Sequence, residues 1–167
     1  MSLISFIKDA GEKLFGRQDA PAAASATASN TAALQEKSAQ ADQTAAQAIE
    51  KYIASQKLPA NGLKVEYDGS TQAVTVSGVA PDQATKEKIV LCCGNVQGVG
   101  KVNDLLTVEQ PADESRFYTV VSGDTLSAIA KKQYGNANDY MKIFEANKPM
   151  LSNPDKIYPG QLLRIPA

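Results

Sequence analysis

Phe117-Tyr118-Thr119-Val120-Val121-Ser122-Gly123-Asp124-Thr125-Leu126-Ser127-Ala128-Ile129-Ala130, closed by Ile157-Tyr158-Pro159-Gly160-Gln161-Leu162-Leu163-Arg164-Ile165-Pro166, decides how the end of the chain folds. Phe117 to Val120 are aromatic or β-branched, as a pleated, half-buried strand prefers. Ser122 to Thr125 is turn chemistry, and Asp124 is expected to cap a helix by accepting backbone N–H groups. Leu126, Ile129 and Ala130 recur at helical spacing until Gly135 and Asn136 end the run. Asp139 is expected as a second cap, before Tyr140, Ile143 and Phe144 on one face. Pro149 and Pro154 punctuate a loop, and Leu163 and Ile165 alternate in a closing strand that Pro166 ends. Strand, helix, helix, strand is thus the order, in about fifty residues, a length that leaves only a small core.

The Gly123 to Ser127 turn and the Pro159-Gly160-Gln161 closure resemble the LysM domain, a small glycan-binding module. That resemblance implies a β-α-α-β fold with a shallow groove for an N-acetylated sugar. It places Gly123, Asp124, Thr125 and Leu126 on one wall. Asn147, Pro149, Ile157, Pro159 and Gly160 fall on or near the other. Exposed backbone N–H and C=O groups would pair with the sugar's amide, and an apolar side chain would cover its methyl. Read from the residues alone, Gly123 and Gly160 equally suit plain turn geometry.

Composition narrows the rest. The chain has 167 residues, enough for two small domains and too few for one of them to be a large enzyme core. Lys and Arg number 17 against 18 Asp and Glu, a net charge of -1, so nothing favours nucleic acid electrostatically. Histidine and tryptophan are absent, which removes histidine ligands and histidine-based triads. The expectation is a non-enzymatic protein.

From about Thr44 a second domain begins. Ala45, Ala48, Ile49, Tyr52 and Ile53 follow helical spacing, ended by Pro59 and Gly62. Leu63, Val65 and Tyr67 alternate, Asp68-Gly69 turns the chain, and Val74 and Val76 alternate again, as a β-hairpin does. Asp82 is expected to cap a helix carrying Ile89, Cys92 and Cys93, with Gly94 as its left-handed stop. After Val96-Gln97-Gly98-Val99-Gly100 a last strand runs through Val102, Leu106 and Val108. Adjacent Cys92 and Cys93 do not suit a disulfide and read as small buried apolar side chains; a metal or reactive role would need more ligands or a positive neighbour. Helix, two strands, helix, strand, with Gly98-Val99 before Val102, resembles the BON domain, usually linked to membranes or ligands of the cell envelope.

At the other end, Leu3, Ile4, Ile7, Ala10, Gly11, Leu14 and Phe15 share one helical face, with Ser5, Asp9 and Glu12 opposite. Lys8 and Asp9 interrupt the apolar run too early for a signal peptide, and no stretch could span a bilayer. This amphipathic helix can dock within the chain, lie on a membrane or bind a partner, and its balanced charges favour docking. The expected fold class is α+β, with two small domains: a BON-like α-β-β-α-β sandwich and a LysM β-α-α-β module. Expected boundaries are 1–16 for the amphipathic helix, 17–43 for an Ala/Ser/Thr-rich flexible linker that can turn helical towards its end, where Ala33, Leu34 and Ala39 hint at a face, 44–109 for BON, 110–116 for a second linker and 117–167 for LysM.

Taken whole, amphipathic helix, BON and LysM resemble a family of bacterial cytoplasmic potassium-binding proteins, most closely at Phe6 to Leu14 and Pro154 to Gln161. The resemblance implies K+ as the bound ion, a monomeric sensor-like protein, and ligation by backbone carbonyls of Ile7, Ala10, Val96, Gly98 and Val99, where the amino-terminal helix meets BON. A large monovalent ion suits a cage of neutral carbonyls, whereas carboxylate clusters suit calcium or magnesium. Glycines beside both segments allow carbonyls to leave regular structure. Two functions follow. One is potassium binding in the cytoplasm, with LysM as a partner-binding or intramolecular docking module and only weak affinity for N-acetylglucosamine-containing glycans. The other is a cell-envelope adapter that holds peptidoglycan through LysM.

Overall fold

A computed structural model describes residues 28–167. The amphipathic helix expected over 1–16, with Ile7 and Ala10, lies outside the described residues. So does the linker up to residue 27. Helix α1 spans Ala28–Ser55 and therefore runs through much of the stretch expected as flexible linker. The stretch contains neither Gly nor Pro and is rich in Ala, Gln, Glu and Lys, residues that lose little on entering a helix. Asp42 accepts the Gly69 N–H at 3.1 Å, and beyond it Ala45, Ala46, Ile49 and Ile53 form the buried stripe.

Strands β1 (Asn61–Asp68) and β2 (Ala73–Asp82) pair antiparallel, and β2 pairs parallel with β3 (Lys101–Gln110). The parallel pairing requires a crossover, supplied by α2 (Gln83–Gly94). Sheet order is β1-β2-β3. Both helices pack on one face: Ile49 and Ile53 from α1 and Ile89, Cys92 and Cys93 from α2 meet Val65, Tyr67, Val74, Val76 and Leu106. Each such aliphatic side chain contributes on the order of 2 kcal/mol by leaving water.

Asp82 caps α2 as expected, its Oδ1 accepting the Thr85 N–H at 2.7 Å. The expected left-handed stop at Gly94 is corrected. Gly94 is not among the positive-φ glycines, and Asn95 is the C-cap. What Gly94 supplies is space, because a Cβ there would stand 2.9 Å from Leu162 Cδ2.

The second sheet pairs β4 (Arg116–Thr119) antiparallel with β5 (Leu162–Ile165). Between them lie α3 (Leu126–Tyr134), a short 3-10 turn (Ala137–Asp139) and α4 (Tyr140–Ala146). Leu126, Ile129, Ile143, Phe144, Leu163 and Ile165 form the core. Thr125, not Asp124, caps α3, through Oγ1 to the Ala128 N–H at 3.1 Å. Asp124 instead accepts from the Val121 N–H at 3.0 Å and the Tyr118 hydroxyl at 2.8 Å, one step earlier in the same turn. Asp139 occupies the N-cap of α4 without a side-chain cap bond. The whole is α+β, a three-stranded and a two-stranded sheet with their helices.

Candidate functional site

The two modules meet along a seam where α2 packs against β5. Leu162 and Arg164 alternate with the inward Leu163 and Ile165, and their N–H and C=O groups face away from β4. Asparagine side chains close that edge. Asn95 donates from Nδ2 to the Leu162 carbonyl at 3.0 Å and accepts its N–H at 2.7 Å. Asn147 does the same for Arg164, at 2.8 Å for both bonds, and also donates to the Ile143 carbonyl at 2.7 Å. One clamp comes from the first domain, the other from the C-cap of α4.

Beside Asn95 the seam holds a charge pair. Arg164 Nε donates to Glu87, whose side chain is only 4% exposed. Burial opposes the Glu87 charge, but the Gln83 amide, the Ser115 N–H and Arg164 outweigh it and hold the carboxyl below the usual range. Burial, then Arg164, push the neighbouring Lys88 ammonium down.

Above the seam opens a cleft of about 540 Å³, lined by Tyr52 and Gly94 to Val99 on one side and by Met150 and Tyr158 to Gln161 on the other. None of these lining residues carries a charged side chain. Burial pushes the Tyr52 and Tyr158 phenols up, so both stay neutral at physiological pH.

Val96, Gly98 and Val99, expected to offer carbonyls, all line this cleft. The loop is anchored at three places. At its entry the Val96 N–H donates to the Cys93 carbonyl at 3.2 Å. In the middle the Tyr67 hydroxyl donates to the Gly98 carbonyl at 3.0 Å, and Gly98 holds φ at 87°. At its exit the Gly100 N–H donates to the Gln72 carbonyl at 2.8 Å. The Val96 carbonyl also accepts the Val99 N–H at 3.2 Å. A carbonyl oxygen has two lone pairs, so these bonds leave capacity for a cation.

The expected glycan walls converge at Val120. Its carbonyl accepts the Gly160 N–H at 2.8 Å and its N–H donates to the Gln161 carbonyl at 2.9 Å, next to the turn through Gly123, Asp124 and Thr125. Gly123, Thr125, Pro159 and Gly160 are exposed, and so is Pro149. Hydrogen bonds from the Val121 N–H and the Tyr118 hydroxyl hold the Asp124 carboxyl below its ordinary range. Leu126 is buried in the core, and Ile157 packs against it. Asn147 is 1% exposed, with its amide engaged on β5 and α4. Pro159 and Gly160 line the cleft together with the 96–99 loop, a meeting that neither module's own sequence foretells.

Cys92 and Cys93 are free and buried. The Cys92 thiol meets Met150 Sδ at 3.1 Å across the seam, while burial pushes the Cys93 thiol up to about 12.

Comparison with known proteins follows the same division. The BON domain family model matches residues 41–110 and the LysM domain family model residues 118–166. The chain is therefore a BON–LysM protein. "Potassium binding protein Kbp" of Escherichia coli is 45% identical to it over 170 residues, covering 99% of each chain. The chain belongs to the Kbp family. An uncharacterized Deinococcus radiodurans protein is 55% identical over 83 residues, 43% of this chain and 32% of its own. The uncharacterized protein YqbP of Bacillus subtilis is 38% identical over 60 residues, 30% of this chain and 27% of its own.

Proposed function

We propose that the chain is a non-enzymatic, cytoplasmic, sensor-like monomer that binds potassium through backbone carbonyls of Val96, Gly98 and Val99, completed by those of Ile7 and Ala10. One observation carries the reading. The loop holding three of these carbonyls faces a cleft whose lining, among the described residues, bears no charged side chain, with Gly98 in a left-handed conformation. A site of that kind competes with water for a large, weakly hydrated ion by dipoles alone, without carboxylates that would favour calcium or magnesium. The potassium binding named for the Escherichia coli relative supports the choice of ion. LysM then serves as an intramolecular docking module. The test is titration with potassium and with sodium at equal ionic strength, following the Val96 to Val99 amides and thermal unfolding. Potassium at a hundredfold its dissociation constant raises stability by about 2.7 kcal/mol. Identical responses to the two salts would remove the assignment.

A second reading, an envelope adapter holding peptidoglycan, draws on the exposed turns at Gly123, Thr125, Pro159 and Gly160. Titration with N-acetylglucosamine oligomers separates the two. Binding at micromolar concentration, about 8 kcal/mol, centred on Gly123 to Leu126 would favour the adapter. Weak binding together with recovery of the protein in the cytosolic fraction would favour the ion reading.

A further inference from the structure

We infer that Asn95 is a positioning residue for the ion-binding loop, and that the LysM module sets the geometry of that loop through it. The inference rests on the potassium reading above. Asn95 ends α2 and directly precedes Val96. Its backbone N–H is committed to the helix, donating to the Leu91 carbonyl at 3.1 Å. Its side chain is committed to the other domain, gripping both backbone groups of Leu162. A residue fixed at both ends in this way sets where the loop starts, and so limits how far the Val96 carbonyl that follows can move.

The loop's other anchors belong to the first domain. Tyr67 holds Gly98, and Gln72 holds Gly100 and Lys101. Among the described residues, the hydrogen bonds that tie the loop to LysM are those at its entry. Gly94 makes that tie close, since any side chain there would press on Leu162. On the far side, Tyr158 to Gln161 face the loop across the cleft. A carbonyl cage works only when its oxygens are held within about 0.5 Å of their working positions. An anchor one residue upstream therefore governs affinity without touching the ion. The second domain, on this view, completes the site mechanically.

The test uses the full chain, with potassium and sodium titrations of the native protein, Asn95→Ala, Asn95→Asp and Glu87→Gln. Asn95→Ala should lower potassium affinity by roughly tenfold or more, the usual effect of removing an outer partner of a ligand. Hydrogen exchange at Val96 and Val99 should accelerate in sodium alone, where no potassium contributes. Asn95→Asp keeps the acceptor for the Leu162 N–H but sets an ionised carboxylate oxygen against the Leu162 carbonyl, so it should release the loop at neutral pH as Asn95→Ala does, with native-like exchange at Val96 recovering only as pH falls and the protonated acid can donate. Glu87→Gln weakens the same seam without releasing the loop, and should lower thermal stability while leaving potassium affinity within about threefold, below the tenfold outer-partner effect. Native-like affinity in Asn95→Ala, or an equal loss in Glu87→Gln, would overturn the positioning role. If the native chain does not distinguish potassium from sodium, the ion reading itself fails; accelerated exchange in Asn95→Ala would then mark Asn95 as an interdomain strut only.

Discussion

Replacing Asn147 by alanine should destabilise the LysM module severely. The side chain is 1% exposed and makes three hydrogen bonds. The Ile143 carbonyl keeps a partner, because the Asn147 backbone N–H also donates to it at 3.2 Å. The Arg164 N–H and C=O lose theirs on the edge of β5. Each buried backbone group left unpaired costs about 1–3 kcal/mol, so the pair costs about 4 kcal/mol. A domain of about fifty residues is stable by about 3–7 kcal/mol in total. Urea unfolding followed by circular dichroism should show the midpoint drop by more than half, with rapid exchange of the Arg164 amide. Asn147→Asp adds a directional check. An ionised carboxylate would face two carbonyl oxygens, whereas the protonated acid can donate to one. Its folded pKa is thus raised, and stability recovers only as pH falls towards about 4. A loss below about 1 kcal/mol in Asn147→Ala, with native protection of Arg164, would refute the clamp argument.

Three further outcomes can be measured on the same preparation. Glu87→Gln leaves Arg164 without its counter-ion beside Lys88 and should cost about 3 kcal/mol. The depressed Glu87 carboxyl stabilises the native protein above its ordinary value of about 4.3, and that contribution is lost as pH falls through the lower folded value; the acid-induced drop in urea midpoint should therefore shrink in this variant. Cys92 and Cys93, buried with raised thiols, should resist a thiol reagent at pH about 8 in the native state and react only as urea unfolds the chain; fast labelling in the native state would contradict the packing. Gly98→Ala places a side chain at φ 87° and should cost about 1–2 kcal/mol while perturbing the Tyr67 hydroxyl contact, readable as a lower melting temperature.

Local chemistry made most of the fold readable. Alternation at Val65, Tyr67, Val74 and Val76 specified which face of the sheet is buried, and that face carries the core. Helical spacing at Ile49 and Ile53, and at Leu126 and Ile129, located the buried stripes equally well. Sequence and structure differ where adjacent residues offer the same chemistry. Asp124 and Thr125 are both competent N-caps, and only the backbone of the turn decides that Thr125 reaches Ala128 while Asp124 reaches Val121. A helical end to the linker is readable in the sequence, but how early α1 begins is not, because Ala-rich sequence without an apolar stripe suits both linker and helix.

The site was legible in its parts and not in its assembly. Gly98 and Gly160 each announce a turn, but no spacing rule brings residues so far apart in the chain into one cleft. Gly94 shows why contact between the modules leaves so little trace in the sequence. A glycine at the end of a helix ordinarily implies a left-handed cap, and here its lack of a side chain matters instead, because Leu162 of the other module lies against it. Asn95, one residue on, carried no motif at all, since an asparagine after a helix is expected to serve its own backbone. Its amide instead takes the place that a third strand would occupy on β5. That substitution lets the small β4–β5 sheet end against the first module without exposing a free edge at Leu162. The same bond holds the start of the 96–99 loop. Edge protection and loop placement are thus one interaction, and a chain that loses the first must also loosen the second.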